Sequence, residues 1–539
     1  MRAIIIVFLC FGILADVKAQ QLRDITLIQG YGDDAVSVAH SDHGILFAGR
    51  YGGTGVVVGG DTLYSSNGLG DMFIGLMNES LSEILWIRSI GGYNAPGVFE
   101  DCSIVAISND GFYISGTFGG PFSVDAHQAV VRGGQDAFLA KFDYSGNCLW
   151  LKSAGGLMDD KYGPIVLTYD DKILWMVYGE NSGTIDTINV SKGGYLITLD
   201  LDGNVLAVKD HFTSAVRFYS MAIQGSSIYC SGQTQNDTAA FGPIEWVGTN
   251  PQDIVLAKCD LSGNPIWGKR LVSGRSGSVG GQLKIDPAGS IFVSGSYYDS
   301  LLADGNSIRN YNGGTNYQDV FIACFDSNGV NQWLRNGASN YARGFGLTME
   351  TDSTFYIIGG FTDTLTFGTH QLFSPGYDCL FLSRFTRSGD CIGVLPFSGG
   401  FGNTIAIDIS GFPIVSGIFY DSIQVQGITS SSWGQGDAFI GRMDKITGIA
   451  NEARMDGNGL VIYANPNDGS FRIRVPASLS TLKGARLTVY DSKGSLVEQF
   501  IFDSHAEAPI VRLHNAMPGQ YVLRLEQDGR VFSGRLIVK

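Results

Sequence analysis

The chain has 539 residues, a formal net charge of −15 and a sequence pI of about 4.9. This acidic balance excludes a nucleic-acid backbone or an anionic membrane surface as the main partner, since either would require a basic face. Hydrophobic residues make up 44% of the sequence and aromatic residues 12%, which excludes a disordered chain.

Residues 1–19 have the pattern of a secretory signal peptide. Arg2 supplies a positive charge, an apolar stretch runs from Ile4 to Leu14, and the small-residue pattern places the cleavage between Ala19 and Gln20. The apolar stretch is too short to span a membrane, and no later segment approaches the required length. The sequence therefore predicts an exported protein without a transmembrane segment.

A phrase that begins with Asp and continues with apolar residues returns about every 60 residues. Its clear copies start at Asp71, Asp136, Asp253, Asp319, Asp378 and Asp437. A degraded copy follows the second of these, where Gly194-Tyr195 replaces Asp-Ala. Seven copies of one unit predict a stacked or circular array.

Each unit carries four short strand patterns. In the clearest copy they begin at Ala137, Cys148, Ile165 and Ile173, with Gly- and Asn-bearing turns between them. The second strand keeps a Trp in four units, at Trp86, Trp150, Trp267 and Trp333, and we expect Leu206 and Val394 at the same place in two others. Such exchanges are typical of a packing position rather than a binding anchor.

Four antiparallel strands per unit predict a seven-bladed β-propeller rather than a solenoid, whose coils are shorter. The segment from Ile25 resembles a second strand without a first, and the last unit, which ends near Asp444, has a first strand without a second. We expect these two ends to complete one blade together, because this closes the ring and removes an exposed edge.

The pattern from Asp136 to Asp143, through Ser145 and Trp150 to Gly156, resembles the bacterial seven-bladed propeller repeat of the SBBP type. It covers roughly residues 21–449, and we assign 20–449 to the propeller. The resemblance implies the fold and says little about activity, because propellers are scaffolds with varied partners.

The C-terminal part has a different sequence pattern. Residues 450–460 are polar and Gly-bearing, as in a linker, and residues 461–539 carry six or seven alternating strand patterns outside the repeat period. The latter predict a small Ig-like β-sandwich. The fold class we expect is therefore all-β, a propeller followed by a sandwich.

Three phrases in this sandwich resemble the type A C-terminal sorting domain of the type IX secretion system of Bacteroidota. Their motif residues are Asn465, Pro466, Asp491, Gly494, Pro518, Gly519 and Tyr521. Each phrase alone is only a turn signal, but their order and terminal placement favour the sorting interpretation. The resemblance implies transport through the periplasm and across the outer membrane, with the secretion machinery as a partner.

Cysteine and histidine offer little for a metal or disulfide site. The seven cysteines after the signal include no Cys-x-x-Cys pair and several lie in strand patterns, although a single bridge from Cys379 to Cys391 stays open. His40 and His43 come closest to a metal pair, but the seven His share no ligand spacing. We therefore expect no metal and no cofactor.

The recurrent Asp residues could form a ring that holds a cation. The simpler interpretation is that each blade needs an Asp to bond nearby backbone. The segment from Asp200 to Asn204 resembles a calcium loop but lacks enough carboxylates, so we expect a hairpin there.

Asp followed by Ser or Thr and an apolar residue recurs through the chain. This resembles the O-glycosylation acceptor pattern of Bacteroidota, with candidate hydroxyls at Thr62, Thr187, Thr238, Ser300, Thr364 and Ser422. A turn at the end of the fourth strand of each unit would give the same pattern.

No Gly-x-Ser-x-Gly, Walker-type or His-Glu-x-x-His motif occurs, and we expect no catalytic residues. The sequence favours a monomeric, secreted or cell-surface, non-enzymatic protein that binds a glycan or protein at the propeller mouth. Two alternatives remain. One is an extracellular polysaccharide lyase or hydrolase, which would need unlike polar residues clustered at one mouth; the other is a structural or gliding-related surface component.

Overall fold

The computed structural model describes residues 22–30, 34–53, 55–65, 70–92, 101–248, 252–275, 277–310, 318–374, 378–398, 400–420, 422–425, 428–432, 436–447, 462–463, 469–473, 482–491, 495–502, 509–514, 517–527 and 530–538. Within these ranges every regular element is a β-strand. The same ranges hold no helix long and apolar enough to cross a membrane.

The first half of the repeat region forms short antiparallel strands. In chain order they are β1 (Leu22–Gly30), β2 (Asp34–Ser41), β3 (Gly44–Gly52), β4 (Gly55–Val58), β5 (Asp61–Tyr64), β6 (Gly70–Met77), β7 (Ile84–Gly92), β8 (Asp101–Ser108), β9 (Gly111–Phe118), β10 (Phe122–Val124), β11 (His127–Gln128), β12 (Asp136–Phe142), β13 (Cys148–Gly156), β14 (Asp160–Leu167), β15 (Lys172–Gly179), β16 (Gly183–Ile185), β17 (Ile188–Val190), β18 (Gly193–Asp200), β19 (Val205–Ser214) and β20 (Val216–Gln224).

The second half continues in the same way. Its strands are β21 (Ser227–Thr234), β22 (Thr238–Phe241), β23 (Ile244–Val247), β24 (Ile254–Asp260), β25 (Pro265–Ser273), β26 (Val279–Ile285), β27 (Ile291–Tyr298), β28 (Ser300–Ala303), β29 (Asn306–Arg309), β30 (Gln318–Phe325), β31 (Asn331–Met349), β32 (Thr354–Phe367), β33 (His370–Phe373), β34 (Cys379–Thr386), β35 (Cys391–Ser398), β36 (Gly400–Ile407), β37 (Pro413–Phe419), β38 (Ser422–Val425), β39 (Ile428–Ser431) and β40 (Asp437–Met443).

These strands form seven blades in the described part of the chain, each with four main strands that we name a to d. In that order, blade I is β2-β3-β6-β7, II is β8-β9-β12-β13, III is β14-β15-β18-β19, IV is β20-β21-β24-β25, V is β26-β27-β30-β31, VI is β31-β32-β34-β35 and VII is β36-β37-β40-β1. Blades V and VI share the long strand β31, which passes from strand d of one to strand a of the next. The predicted propeller is confirmed.

The prediction of four strands per unit was incomplete. Five of the sheets are six-stranded because a hairpin inserted between strands b and c of one unit pairs with strand d of the preceding blade, as β10 and β11 do with β7. The hairpin strands are too short, two to four residues as in β11 and β22, to show a clear alternation in the sequence.

The ring closes through the two ends of the repeat region. Strand β1 supplies strand d of blade VII and pairs antiparallel with β40, from Leu22 opposite Met443 to Ile28 opposite Ala438. On its other edge β1 pairs with β4, where Ile28 lies opposite Val58. The predicted closure by strand exchange is therefore confirmed.

Strand c is buried along its length because both faces of a blade are covered by neighbouring blades. All seven residues of β12 are buried. Phe138 and Phe142 pack into the core between blades I and II, whereas Ala137 and Leu139 pack into the core between blades II and III. Alternate side chains of an Asp-Ala-Phe-Leu phrase thus pack against the two neighbouring blades, which explains why the phrase recurs.

The Trp residues of strand d lie at the seams, as predicted for a packing position. The Trp150 indole N–H donates to the carbonyl oxygen of Leu201 in the next blade at 3.0 Å. The register corrects two expected substitutes: Ala207 and Gly393, not Leu206 and Val394, occupy the Trp position, each opposite the same strand-c residue as Trp150. The same bulge precedes all three positions, and each lies three residues after the last residue of its c–d turn, which is Asn147, Asn204 or Asp390.

The predicted hairpin at Asp200 is confirmed. The Asp200 carboxylate accepts hydrogen bonds from the backbone N–H groups of Asp202 and Asn204 and from the Asn204 side-chain amide, at 2.8 to 3.0 Å. The carboxylate is thereby satisfied by its own turn. These bonds lower the pKa of Asp200, the amide of Asn204 contributing most.

The C-terminal residues form a sandwich of two sheets. Its strands are β41 (Ile462–Tyr463), β42 (Ser470–Ile473), β43 (Arg486–Asp491), β44 (Leu496–Ile501), β45 (Ile510–Arg512), β46 (Gly519–Gln527) and β47 (Arg530–Val538). One sheet is β41-β42-β45 and the other is β44-β43-β46-β47. Phe471, Val511, Leu487 and Leu523 from the two sheets share one core, as the predicted sandwich requires.

Candidate functional site

The two ends of the blades differ in their connections. The a–b and c–d turns meet at one end, which we call the turn face, and the d–a and hairpin-to-c connections meet at the other, the loop face. At the loop face the fully described connections into strand c vary from two residues at 191–192 to seven at 129–135. Recognition by variable loops on a rigid scaffold therefore has its natural place there.

The recurrent Asp residues lie at the loop-face end of strand c and bond local groups. Asp253 Oδ1 accepts from the Ser273 N–H at 2.9 Å and from the Ser273 hydroxyl at 2.7 Å, and Asp319 Oδ1 accepts from the Ser339 N–H at 3.1 Å. Asp437 Oδ1 similarly accepts from the Gly30 N–H at 3.3 Å. These bonds between strands c and d support the structural interpretation. The described residues include no group of three His, Cys, Asp or Glu that could hold a metal ion.

Asp136 departs from this pattern because a second carboxyl group lies beside it. A Cβ atom added to Gly155 would stand 1.9 Å from Asp136 Oδ1 and 2.8 Å from Asp160 Oδ2, so the glycine lets the two carboxyl groups approach each other. Asp160 is the first residue of strand a in blade III. Both side chains are buried, at 0% and 1% exposed.

Each carboxyl group has only one oxygen engaged. Asp136 Oδ2 accepts from the Arg132 N–H and Asp160 Oδ2 accepts from the Gly156 N–H, each at 2.7 Å. The other oxygen of each group has no hydrogen-bond partner, and neither has the hydroxyl of the fully buried Tyr195. Unsatisfied buried polar atoms are costly in native proteins and call for an explanation.

Burial dominates the electrostatics of this pair. Removal from water raises the pKa of Asp136 to about 6 and that of Asp160 to about 7, opposed by the backbone N–H groups and by Arg132. The charge of Asp136 and that of Glu180 add to the increase at Asp160. Near neutral pH the pair therefore holds a proton, which a carboxyl group in water would have lost.

Sequence reasoning missed this pair. Asp160 belongs to no repeated phrase, since it begins strand a of blade III whereas the repeated phrase lies on strand c. The register corrects the expected alignment of blade III: Gly193, opposite Gly179, stands where Asp136 lies opposite Phe118, so Gly193-Gly194 and not Gly194-Tyr195 replaces Asp-Ala. This break in the repeat was the available signal.

A patch of exposed apolar side chains lies at the same end of blade II. Val130 and Val131 are 60% and 41% exposed, and Leu157 and Met158 are 76% and 54% exposed. The two connections that carry them touch, since the Gly134 N–H donates to the Leu157 carbonyl oxygen at 3.3 Å. Adjacent exposed apolar side chains on a surface loop are typical of an interaction site.

His40 and His43 do not form a metal pair. His40 Nε2 lies 3.0 Å from Glu79 Oε1, whereas the His43 ring stacks on Tyr144 with 3.9 Å between the ring centres. They border a cleft of about 340 Å³ at the turn face, which also includes Asn109.

Each of the seven described cysteines is a thiol, so the open alternative of a Cys379–Cys391 bridge is not realised. The register places Cys379 opposite Ser398 and Cys391 opposite Phe385, at opposite ends of one hairpin.

The hydroxyl residues of the glycosylation pattern occupy the outer hairpins, but not at equivalent places. Thr187 lies in a hairpin turn and Thr62 in the second hairpin strand, whereas Thr238, Ser300, Thr364 and Ser422 lie in the first. Thr62, Thr187 and Thr238 are exposed. Glycosylation remains a prediction.

Ala19, Gln20, Asn465, Pro466 and Gly494 lie outside the described residues. The remaining sorting-motif residues hold turns. Asp491 Oδ1 accepts from the Ser495 N–H at 2.8 Å. The Tyr521 hydroxyl donates to the Met517 carbonyl oxygen at 2.7 Å and thereby bridges the Pro518-Gly519 turn.

Residues 461–539 match the family model described as secretion system C-terminal sorting domain. No curated protein matches the chain. Among solved structures the chain is similar to the Dos1 propeller, with 11% identity and a TM-score of 0.38 over 78% of this chain and 95% of that one. It is also similar to a puromycin hydrolase mutant complexed with PGG, with 10% identity and a TM-score of 0.34 over 83% of this chain and 60% of that one.

Similarity at this low sequence identity and TM-score gives no information about activity. The SBBP repeat type stays a prediction. The sorting domain has a direct consequence, since it marks its carrier for type IX secretion to the cell surface or the medium. The chain thus joins an all-β propeller to a C-terminal sorting domain of type IX secretion.

Proposed function

We propose that this exported propeller is a non-enzymatic scaffold that binds a protein or glycan partner at its loop face. The observation that carries the proposal is the exposed apolar patch of Val130, Val131, Leu157 and Met158 on two touching loop-face connections. Loops of unequal length at the same face supply the shape variation that recognition needs. The net charge of −15 argues against nucleic acid as the partner.

The test applies the mature secreted protein to a glycan array and to an array of extracellular proteins. We expect the double variant Leu157→Ser, Met158→Ser to lose at least about tenfold in affinity for any captured partner, because its two exposed anchors are gone. Ile409→Ser is the matched control, since Ile409 is 77% exposed but lies in an a–b turn at the turn face. Equal binding by the double variant and the control would contradict the proposal.

The second candidate is a polysaccharide lyase or hydrolase. The feature that favours it is the Asp136–Asp160 pair, because carboxyl groups with raised pKa values are common in acid–base catalysis. Both carboxyl groups are buried, and so a glycan could not reach them without an opening of the loop face. A turnover assay on the arrayed glycans separates the two functions. Turnover that disappears in Asp136→Asn would overturn the binding proposal.

A further inference from the structure

One position on strand d carries an indole side chain in four blades, at Trp86, Trp150, Trp267 and Trp333. In three of them the indole N–H donates to the carbonyl oxygen of the second residue of the next blade's c–d turn. The pairs are Trp86 with Tyr144 at 2.8 Å, Trp150 with Leu201 at 3.0 Å and Trp267 with Ser327 at 3.3 Å. The ring also covers the glycine of that turn. Each of these three seams therefore contains a slot that fits an indole ring and offers a carbonyl acceptor for its N–H.

Blade III has the slot without the indole. Ala207 occupies the Trp position, opposite Thr198 where Trp150 and Trp267 face a Lys. On strand b, Leu174 replaces the ring that packs against the Trp in blades II and IV. Because Leu174, Thr198 and Ala207 are smaller than their counterparts in blades II and IV, an open cleft of about 360 Å³ remains between blades III and IV.

The cleft keeps the features that hold an indole elsewhere. Its floor includes Leu174 and Leu196, which are 1% and 2% exposed. Its far wall includes Leu261, which follows Asp260 as Tyr144 follows Asp143 and Leu201 follows Asp200. Lys172 and Lys209 stand at its rim, where an ammonium group can interact with an aromatic face.

Blade VI shows how the chain itself fills such a slot. Gly393 occupies the Trp position there, and the Ile446 side chain fills the space, 2.6 Å from where a Cβ on Gly393 would be. Ile446 is fully buried, and the Arg384 guanidinium donates to its carbonyl oxygen at 2.6 Å. At the III–IV seam Leu196 and Phe212 cover the turn glycine, Gly263, and the cleft beside them remains open. Leu206, which is 53% exposed, also lines it.

We propose that the cleft between blades III and IV binds an indole side chain of a partner polypeptide. The indole would rest on Leu174 and Leu196 and donate its N–H to the Leu261 carbonyl oxygen, as Trp150 does to Leu201. The cleft lies at the c–d turn end of strand d, away from the loop-face patch, and the inference does not depend on the proposed loop-face function.

The test titrates the mature protein with N-acetyl-tryptophanamide and N-acetyl-leucinamide and follows binding by NMR. We expect the indole compound to bind with a dissociation constant of roughly 1 mM. The leucine compound should bind at least about tenfold more weakly, because its side chain lacks the indole N–H donor. Equal binding of the two compounds would overturn the indole assignment.

Ala207→Trp fills the slot from within the chain. We expect it to abolish binding of the indole compound and to raise the melting temperature by roughly 2 °C. Ile266→Trp is the matched control: Ile266 precedes Trp267 as Leu206 precedes Ala207 and is 54% exposed, so the added indole lies at another blade, outside the cleft, and should leave binding unchanged. If Ala207→Trp does not fold, Ala207→Leu should still weaken binding at least about fivefold by filling the cleft mouth. Retained binding in the folded position-207 variant would overturn the proposal.

Discussion

Replacing Ile28 with Pro should destabilise the whole propeller. Ile28 is fully buried in β1 and lies between Val58 on one side and Ala438 on the other. A proline there removes a ladder hydrogen bond from a central strand and leaves a buried backbone acceptor unsatisfied, which costs about 1–3 kcal/mol, and the lost side-chain packing adds to this. Because β1 is the strand that closes the ring, its loss also leaves β40 as an exposed edge.

The measurement is the free energy of unfolding from urea denaturation of the mature protein. Ile28→Val is the control, since it keeps the backbone hydrogen bond and should cost only about 1 kcal/mol. If the two variants unfold within about 1 kcal/mol of each other, the closing strand does not hold the ring together.

Replacing Asp160 with Asn should stabilise the protein at neutral and higher pH. The pKa of Asp160 is raised from 3.8 to about 7 in the folded state, mainly by burial. Between these values the folded state binds more protons than the unfolded state, so stability falls as pH rises from about 4 to about 7. At about 1.4 kcal/mol per pKa unit, the cost above pH 7 is on the order of 4 kcal/mol.

The amide of Asn carries no charge and retains an acceptor for the Gly156 N–H. We therefore expect Asp160→Asn to raise the melting temperature at pH 8 and to reduce the decline in stability between pH 5 and 8. Asp202→Asn, at an exposed turn, is the control and should change neither. A variant that is less stable than the wild type at pH 8 would show that the ionised carboxylate has a stabilising partner.

The propeller itself was predictable from sequence because its cause is local and repeated. An Asp-Ala-Phe-Leu strand buried on both faces is apolar along most of its length, and seven copies of it predict seven equivalent sheets. The orphan strand patterns around Ile25 and Asp444 predicted the closure, since each end lacked what the other supplied. The sorting domain was also predictable from the sequence, because its turn motifs occur in a fixed order.

The outer hairpins were not predictable. Their strands are so short that periodicity cannot distinguish them from turns, and only pairing with the preceding blade makes them strands. The Trp-equivalent position of blade III was also misplaced by one residue: Ala207 follows Asn204 by three residues, as Trp150 follows Asn147, whereas Leu206 was expected there.

The sequence by itself determined the repeat, its closure and the export of this protein, because these depend on residue patterns within one unit or at one end of the chain. Only the tertiary structure decided the contacts between units. Asp136 and Asp160 belong to different blades, and their shared burial and raised pKa values arise where those blades meet. The cleft at Ala207 likewise exists only because the c–d turn of blade IV packs beside strand d of blade III.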